Sequence, residues 1–343
     1  MEGAANPPNT SRTPGAVAAS RPVVHVTAPS RLHFGLLAFG RREGRQNGGV
    51  GVMVDHAAVE LRICASEKLE TSGPLADRAT VFANRWAEFC SMDAEPPCRI
   101  EILSAAAEHV GLGVGTQLGL SVAAGLNAFF HLSTSSPAEL AISVGRGLRS
   151  AVGTYGFAQG GLIVDRGKLP TERIAPMDVC LPMPPEWRFV LIRPRDGSGL
   201  WGEDEQDAFD RLPPVPREVT AELIDEIRQH MVPAAASAQF DMFSDSVYRY
   251  GRVAGMCFAA VQDGPYNGGR LSELVEIVRS LGVAGVGQSS WGPTLFAVLP
   301  DEIEAGKFVD RMAERVPRDE VDVYAAAAND GGASVEVSRP DPG

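Results

Sequence analysis

The chain has 343 residues, 44% hydrophobic and 22% charged, an ordinary globular composition with the length of roughly two domains. A formal net charge of −12 and a pI near 5.0 argue against broad electrostatic binding to nucleic acid or an anionic membrane, so an anionic ligand must be held by a local site. The five cysteines are odd in number, widely spaced and without a C-x-x-C pair, which suggests neither a disulfide framework nor a zinc site.

The first 22 residues, rich in Pro, Asn, Ser and Ala and without the apolar stretch of a secretory leader, read as a disordered tail. No run of about 18 apolar residues is present to span a bilayer, and a cytoplasmic protein is expected. "VVHVTAPSRLHFGLLAFG" (23–40) and "GGVGVMVDHAAVELRICAS" (48–66) are strand-like, rich in β-branched residues and broken by Gly and Pro. Residues 76–91 read as a helix and "CRIEILSA" (98–105) as another strand. A glycine-rich loop, its helix, a second helix from Pro137 to about Gly147 and a strand at "AQGGLIVDRG" (158–167) follow. This first unit, 23–185, is α+β and closes on the proline-rich "APMDVCLPMPPEW" (175–187), which reads as a connector.

The second unit, 186–343, opens with a strand, "WRFVLIRP" (187–194), and a polar, acidic loop, "RDGSGLWGEDEQDAFD" (195–210). Helical patterns lie at about 217–230, 234–262 and 270–281. A second glycine-rich turn feeds a strand in "GVAGVGQSSWGPTLFAVLP" (282–300), and a helix near 302–315 and a strand near 333–338 complete the unit.

The stretch with the sharpest chemical content is "EHVGLGVGTQLGLS" (108–121), where the chain passes through glycines into a helical apolar pattern. Leu118, Val122, Ala123, Leu126, Phe129 and Phe130 recur at helical spacing, which predicts a buried helix over 116–131 that Thr116 could cap. Glycines let backbone N–H groups approach a ligand closely, and the positive end of a helix favours an anion, so phosphate is the expected ligand. No Lys follows the glycines, and G-x-G-x-x-G after a strand does not fit either, which sets aside both nucleotide-loop patterns. In "APSRLHFG", Ser30, Arg31 and His33 are interleaved with Leu32 and Phe34, a pattern that on a strand separates polar from apolar faces. Arg31 reads either as a surface residue or as a fork for phosphate or carboxylate, and Arg45, in a turn nearby, could reach the same anion.

Four separated stretches, "APSRLHFGLL", "HVGLGVGTQ", "GRGLRSAVGTYGFAQGGLIVDRG" and "GVGQSSWGPT", together resemble the β-ribofuranosylaminobenzene 5′-phosphate synthase family of methanopterin biosynthesis, over about residues 23–300. The resemblance implies a two-domain α+β protein of GHMP-kinase-like fold: a ribosomal S5 domain 2-like N-terminal domain and a ferredoxin-like C-terminal domain. It implies a pentosyltransferase that joins phosphoribosyl pyrophosphate to 4-aminobenzoate, releasing CO2 and pyrophosphate, with Mg2+ as cofactor. Small molecules are then the partners, with no nucleic acid and no membrane, and a homodimer is the default for the fold.

On this resemblance Gly111, Gly113, Gly115, Thr116 and Gln117 cradle phosphate or pyrophosphate, and His109 either donates to a phosphate or packs. Arg31, Arg45 and Glu203 are the catalytic candidates, Glu203 standing with Glu205 in the acidic loop. Arg149 and Ser150, beside glycines, read as a site wall, while Gln288, Ser289 and Ser290 offer donors next to Trp291, a flat surface for an aromatic acid. The family carries an acid where this chain has Ala38, and Asp55 and Glu43 are the carboxylates that would have to replace it. Two alternatives stay open: an ATP-dependent small-molecule kinase of the same fold, and a catalytically silent paralogue that binds a phosphorylated metabolite.

Overall fold

The computed structural model describes residues 22–196 and 202–338, without the side chains of 57, 58 and 202–206. Of the expected tail only Pro22 falls within them. The chain opens on two long antiparallel strands, β1 (Val23–Ala38) and β2 (Asn47–Ala65). Their register shifts on either side of Pro29, where a residue without an N–H cannot continue a ladder, and again between His33 and Gly35. After β3 (Glu70–Ser72) and α1 (Ala76–Phe89) come β4 (Cys98–Ala105) and α2 (Val114–Phe129). Then follow α3 (Pro137–Ser143), α4 (Val152–Gln159), β5 (Leu162–Asp165) and β6 (Met177–Leu181).

The first sheet runs β3-β4-β2-β1, and β2 is long enough to serve two neighbours on one side: Val59–Ala65 pair with β4, and Gly49–Val52 pair with β5, which carries β6. α2 lies on this sheet and is buried on nearly every side, the mark of a core helix. Gly125 permits the contact, since a β-carbon there would stand 2.7 Å from Ile63 Cδ1.

β7 (Arg188–Pro194) begins a second antiparallel sheet. The helices α5 (Gly202–Arg211), α6 (Arg217–Asp225), α7 (Val232–Ala236), α8 (Phe240–Met256), α9 (Ala259–Gln262) and α10 (Gly269–Ser280) follow, with one π-helical segment, Glu226–Met231, between α6 and α7. β8 (Val286–Gln288), β9 (Leu295–Leu299), α11 (Glu302–Arg315) and β10 (Val321–Ala327) close the second sheet in the order β10-β7-β9-β8. The final strand, β11 (Ser334–Ser338), returns to pair with Val23–Thr27 at the outer edge of the first sheet. The segment grouped from sequence as the second unit thus supplies a strand to the first.

Four further departures from the sequence reading have local causes. The proline-rich connector contains β6, whose "MDVCL" sits between the prolines. The acidic loop is helical from Gly202 onward, as α5. "VGTYGFAQ" forms α4 although it holds two glycines, because residue 156 must be small: a β-carbon there would collide with Met53. "VDVYAAA" forms β10, its alanines hiding a strand that pairs with β7 along its whole length. No helix among the described residues is long and apolar enough to cross a membrane.

Candidate active site

β1, the glycine loop and the turn at 288–292 are tied into one unit. Arg31 N donates to Leu112 O (3.0 Å), and the Arg31 guanidinium donates to Gly111 O (3.4 Å). His33 N donates to Ser289 Oγ (3.0 Å), which donates to Gly111 O (2.6 Å), and Ser290 N donates to His33 O (3.0 Å). A β-carbon on Gly111 would strike Ser289 O, and its φ of 88° is open to glycine at little cost, so this residue is needed for both reasons. The three segments enclose a cleft of about 1000 Å³.

The cleft's cationic end is the first turn of α2. Gly113 is the N-cap, with φ 75° and no side-chain cap, so the helix starts two residues before Thr116, which lies within the first turn and lines the cleft. An uncapped helix start directs N–H groups and the positive end of the helix dipole at whatever occupies the cleft. Around it stand Arg31, Arg78 and Arg146, all lining the cleft, with His109 held at φ 60° beside them. Arg78 is ion-paired with Glu108, and Arg146 Nε donates to Gly115 O (3.1 Å). The faces of both guanidinium groups lie near the Phe82 ring, at 5.9 and 5.1 Å from its centroid.

The other end is aromatic. Phe209, Phe258 and Trp291 line the cleft and pack edge to face, with Trp291 4.8 Å from Phe258 and 5.5 Å from Phe209. Trp291 is only 7% exposed and belongs to a small core with Phe39, Leu212 and Val215. The Arg149 guanidinium lies over the Phe209 ring at 4.4 Å, joining the two ends.

Several sequence candidates do other work. Ser30 is fully buried and does not line the cleft, because the period of two turns it away from Arg31 and His33. Gln117 is buried and spends its amide on Gly153 O (3.1 Å), bracing α2 against α4. Arg45 is engaged elsewhere, bidentate to Glu172 at 2.7 and 3.0 Å and bonded to Gly167 O. Ser289 is the buried brace described above. Gln288 lines the cleft but bonds Asn267 N (2.7 Å) and Ser290 O (2.9 Å). Ser150 lines the cleft and donates to Asp165 Oδ2 (2.7 Å). The Glu203 and Glu205 side chains lie outside the described residues. Ser290 is exposed and lines the cleft, as do Gly111, Gly113 and Gly115.

Sequence reasoning missed Arg78, Arg146, Glu108, Phe209 and Phe258. One signal was available: Arg146 sits between Gly145 and Gly147, both at positive φ. Arg78 lies 30 residues before Glu108 on a different element, and no local pattern joins them.

Burial, and then the neighbouring Arg31, hold the His33 imidazole well below its usual pKa, so the ring is neutral at pH 7. Burial likewise pushes the Arg78 guanidinium down and the Asp165 carboxyl up, the latter against hydrogen bonds from Ser150 Oγ and from the Ala151 and Gly167 N–H groups. Among the described residues no group of three or more His, Cys, Asp or Glu side chains is placed to hold a metal ion. Glu108 is the one carboxylate among the described lining residues, and Arg78 holds it. Asp55 caps the Ala327 N–H and Glu43 pairs with Arg217, so neither lines the cleft. The described residues therefore do not by themselves assemble a resident Mg2+ site.

Fold and cleft together define a protein of the GHMP-kinase class. Residues 255–318 match the family model described as GHMP kinases C terminal. The homoserine kinase of Cytophaga hutchinsonii superposes with a TM-score of 0.64 at 16% identity, covering 95% of this chain and all of that one, a likeness of fold alone. Beta-ribofuranosylphenol 5'-phosphate synthase of Archaeoglobus fulgidus is 30% identical over 292 residues, covering 80% of this chain and 88% of that protein. The synthase of the same name from Methanothermobacter thermautotrophicus is 26% identical over 297 residues, covering 81% and 89%. The chain belongs to the beta-ribofuranosylphenol 5'-phosphate synthase family.

Proposed function

We propose that this protein is a pentosyltransferase that joins the ribose 5-phosphate unit of phosphoribosyl pyrophosphate to the ring of a para-substituted benzoate. The bond from the anomeric carbon to the diphosphate oxygen breaks, and a carbon–carbon bond forms to the ring carbon bearing the carboxylate. CO2 then leaves that carbon, its bonding pair restores aromaticity, and diphosphate carries off the negative charge. The reading rests on one observation: a single cleft with a guanidinium-rich helix start at one end and an aromatic wall at the other.

The chemistry suits these groups. An anomeric carbon losing diphosphate becomes cationic, and catalysis consists of binding the departing anion and holding the arene against the electrophile. The reading gives phosphate to Arg31 and the α2 N-terminus and the arene to Phe209, Phe258 and the accessible edge of Trp291, all of which line the cleft. Arg149, over Phe209, can meet the arene carboxylate. CO2 rather than a proton leaves the ring carbon, so no general base is required there, in keeping with a His33 whose burial opposes protonation and a Glu108 tied to Arg78. Mg2+ in this reading accompanies the substrate's phosphates rather than a set of protein carboxylates. The product name of the relatives points to a phenol, hence 4-hydroxybenzoate, where the sequence motifs suggest the aniline from 4-aminobenzoate.

The test supplies phosphoribosyl pyrophosphate with each carboxyl-labelled benzoate in turn and follows pyrophosphate and labelled CO2, with ATP-dependent ADP release measured in parallel. Equal yields of pyrophosphate and CO2 are expected with one of the two arenes. ADP release without CO2 would establish the kinase alternative. Donor binding without either product would establish the silent paralogue.

A further inference from the structure

Gly115 lies in the regular helix α2, not at a positive φ, so no backbone conformation requires glycine there. Space does. A β-carbon at this position would stand 2.6 Å from Arg78 Nη2 and 2.7 Å from Arg146 Nη2. The guanidinium groups of two different elements thus converge on one point above the first helical turn, with Phe82 beneath both. Two like charges held side by side repel, and the helix start adds positive potential at the same place. Glu108, ion-paired with Arg78, offsets part of that charge. Arg31 instead packs two residues earlier at the helix start, against Gly113, and against Gly153, and is bonded to Gly111 O.

We propose that Arg78 and Arg146, converging over Gly115, form a separate anion subsite for the diphosphate leaving group, with Glu108 as the internal counter-ion that diphosphate displaces from Arg78. The assignment of the anion to a leaving diphosphate rests on the function proposed above. The donor carries two anionic ends, and the cleft provides two cationic stations for them: Arg31 with the glycine loop for the sugar phosphate, and the arginine pair for the diphosphate. A glycine at 115 then serves the ligand indirectly, by letting two forks face the same oxygens. Displacing Glu108 exchanges one ion pair for a stronger, multidentate one, so Arg78 has an anionic partner whether diphosphate is bound or has left.

Titration of the intact protein with inorganic pyrophosphate, and separately with ribose 5-phosphate, tests this. Arg78→Ala and Arg146→Ala are each expected to weaken pyrophosphate about tenfold or more, since hydrogen bonds to charged groups contribute on that order. Ribose 5-phosphate affinity should change less than twofold in both variants. Glu108→Gln should tighten pyrophosphate severalfold, and Gly115→Ala should weaken it while leaving every charge in place. Thermal melting confirms that each variant is folded, and a second pair, Arg78→Lys and Arg146→Lys, replaces any that is not. Unchanged pyrophosphate affinity in both arginine variants, or competition between the two probes for one site, overturns the subsite. Unchanged or weaker binding by Glu108→Gln overturns the counter-ion role. Arginine-dependent pyrophosphate binding without synthase turnover by the parent protein would keep the subsite and refute the proposed function, while turnover insensitive to both arginines would do the reverse.

Discussion

Trp291 packs in a small core while presenting its remaining exposed surface to the cleft. It lines the cleft, but its ring is 7% exposed and held edge to face by Phe209 and Phe258. Trp291→Ala should therefore cost about 3–5 kcal/mol of stability, the range for removing a packed aromatic ring, which urea titration would read. A loss under about 1 kcal/mol would show instead that the ring is a free platform. Gly113→Ala is a milder change: a residue other than glycine in the left-handed region costs roughly 1–2 kcal/mol, and its β-carbon would press on Arg31 at 3.2 Å. The folded variant should lose donor affinity with arene affinity retained. His33 supplies a pH signature. Its folded pKa is depressed, so below the ordinary value of about 6.5 the unfolded chain takes up a proton that the native ring refuses. Its contribution is complete above about pH 6.5 and declines as the pH falls, and His33→Gln should flatten the dependence of stability on pH between about 5.5 and 6.5. Equal slopes in the two proteins would show that the ring is not shielded from protons.

Among the elements, the short helix α4 positions one wall of the cleft, and a buried carboxylate sets its start. Asp165, at the end of β5, accepts from Ser150 Oγ (2.7 Å), Ala151 N (2.8 Å) and Gly167 N (2.8 Å), with no solvent exposure. Asp165→Asn replaces one accepting oxygen with a donor facing a donor, and should cost about 1–3 kcal/mol, the penalty of an unsatisfied buried group. A stability equal to the parent's would mean these bonds contribute nothing net. The sequence pointed to Ser150 and Arg149 through their glycine-rich surroundings, but nothing local to residue 150 names Asp165 as the partner. The same limit separates what was legible from what was not. The alternation in "SRLHFG" put Arg31 and His33 on one face, as the cleft has them, but wrongly added the buried Ser30, and the glycine run marked the start of α2 to within two residues. Arg78 and Glu108 meet only because α1 and the loop before α2 pack side by side, and that information resides in tertiary structure. Arg45 misled for the converse reason: a turn arginine near the site found its carboxylate, Glu172, beside the start of β2, where Gln46 bridges to Lys168.

At the scale of the whole molecule, the GHMP-kinase-like architecture was readable from motif order, while the core shared by the two sheets was not. A single core gathers Leu32, Phe34 and Leu61 from the first sheet with Phe189, Tyr250 and Phe296 from the second half of the chain. Phe34 stacks on Phe296 with centroids 4.9 Å apart, and Tyr250 Oη donates to Gly35 O at 2.9 Å, so the strand that carries Arg31 and His33 is also the seam between halves. β11 adds a second tie by returning to β1. Independent domains joined by a linker would melt separately, whereas elements that share buried side chains lose them together. Scanning calorimetry should therefore give one transition whose calorimetric and van't Hoff enthalpies agree, at about 240 kcal/mol by the usual value per residue. Phe34→Ala, expected to cost about 3–5 kcal/mol, should lower that single transition as a whole. Two resolved transitions in the parent, or a Phe34→Ala scan in which one half melts early and the other is unmoved, would show that the halves fold apart and that the cleft between them is not built on a common core.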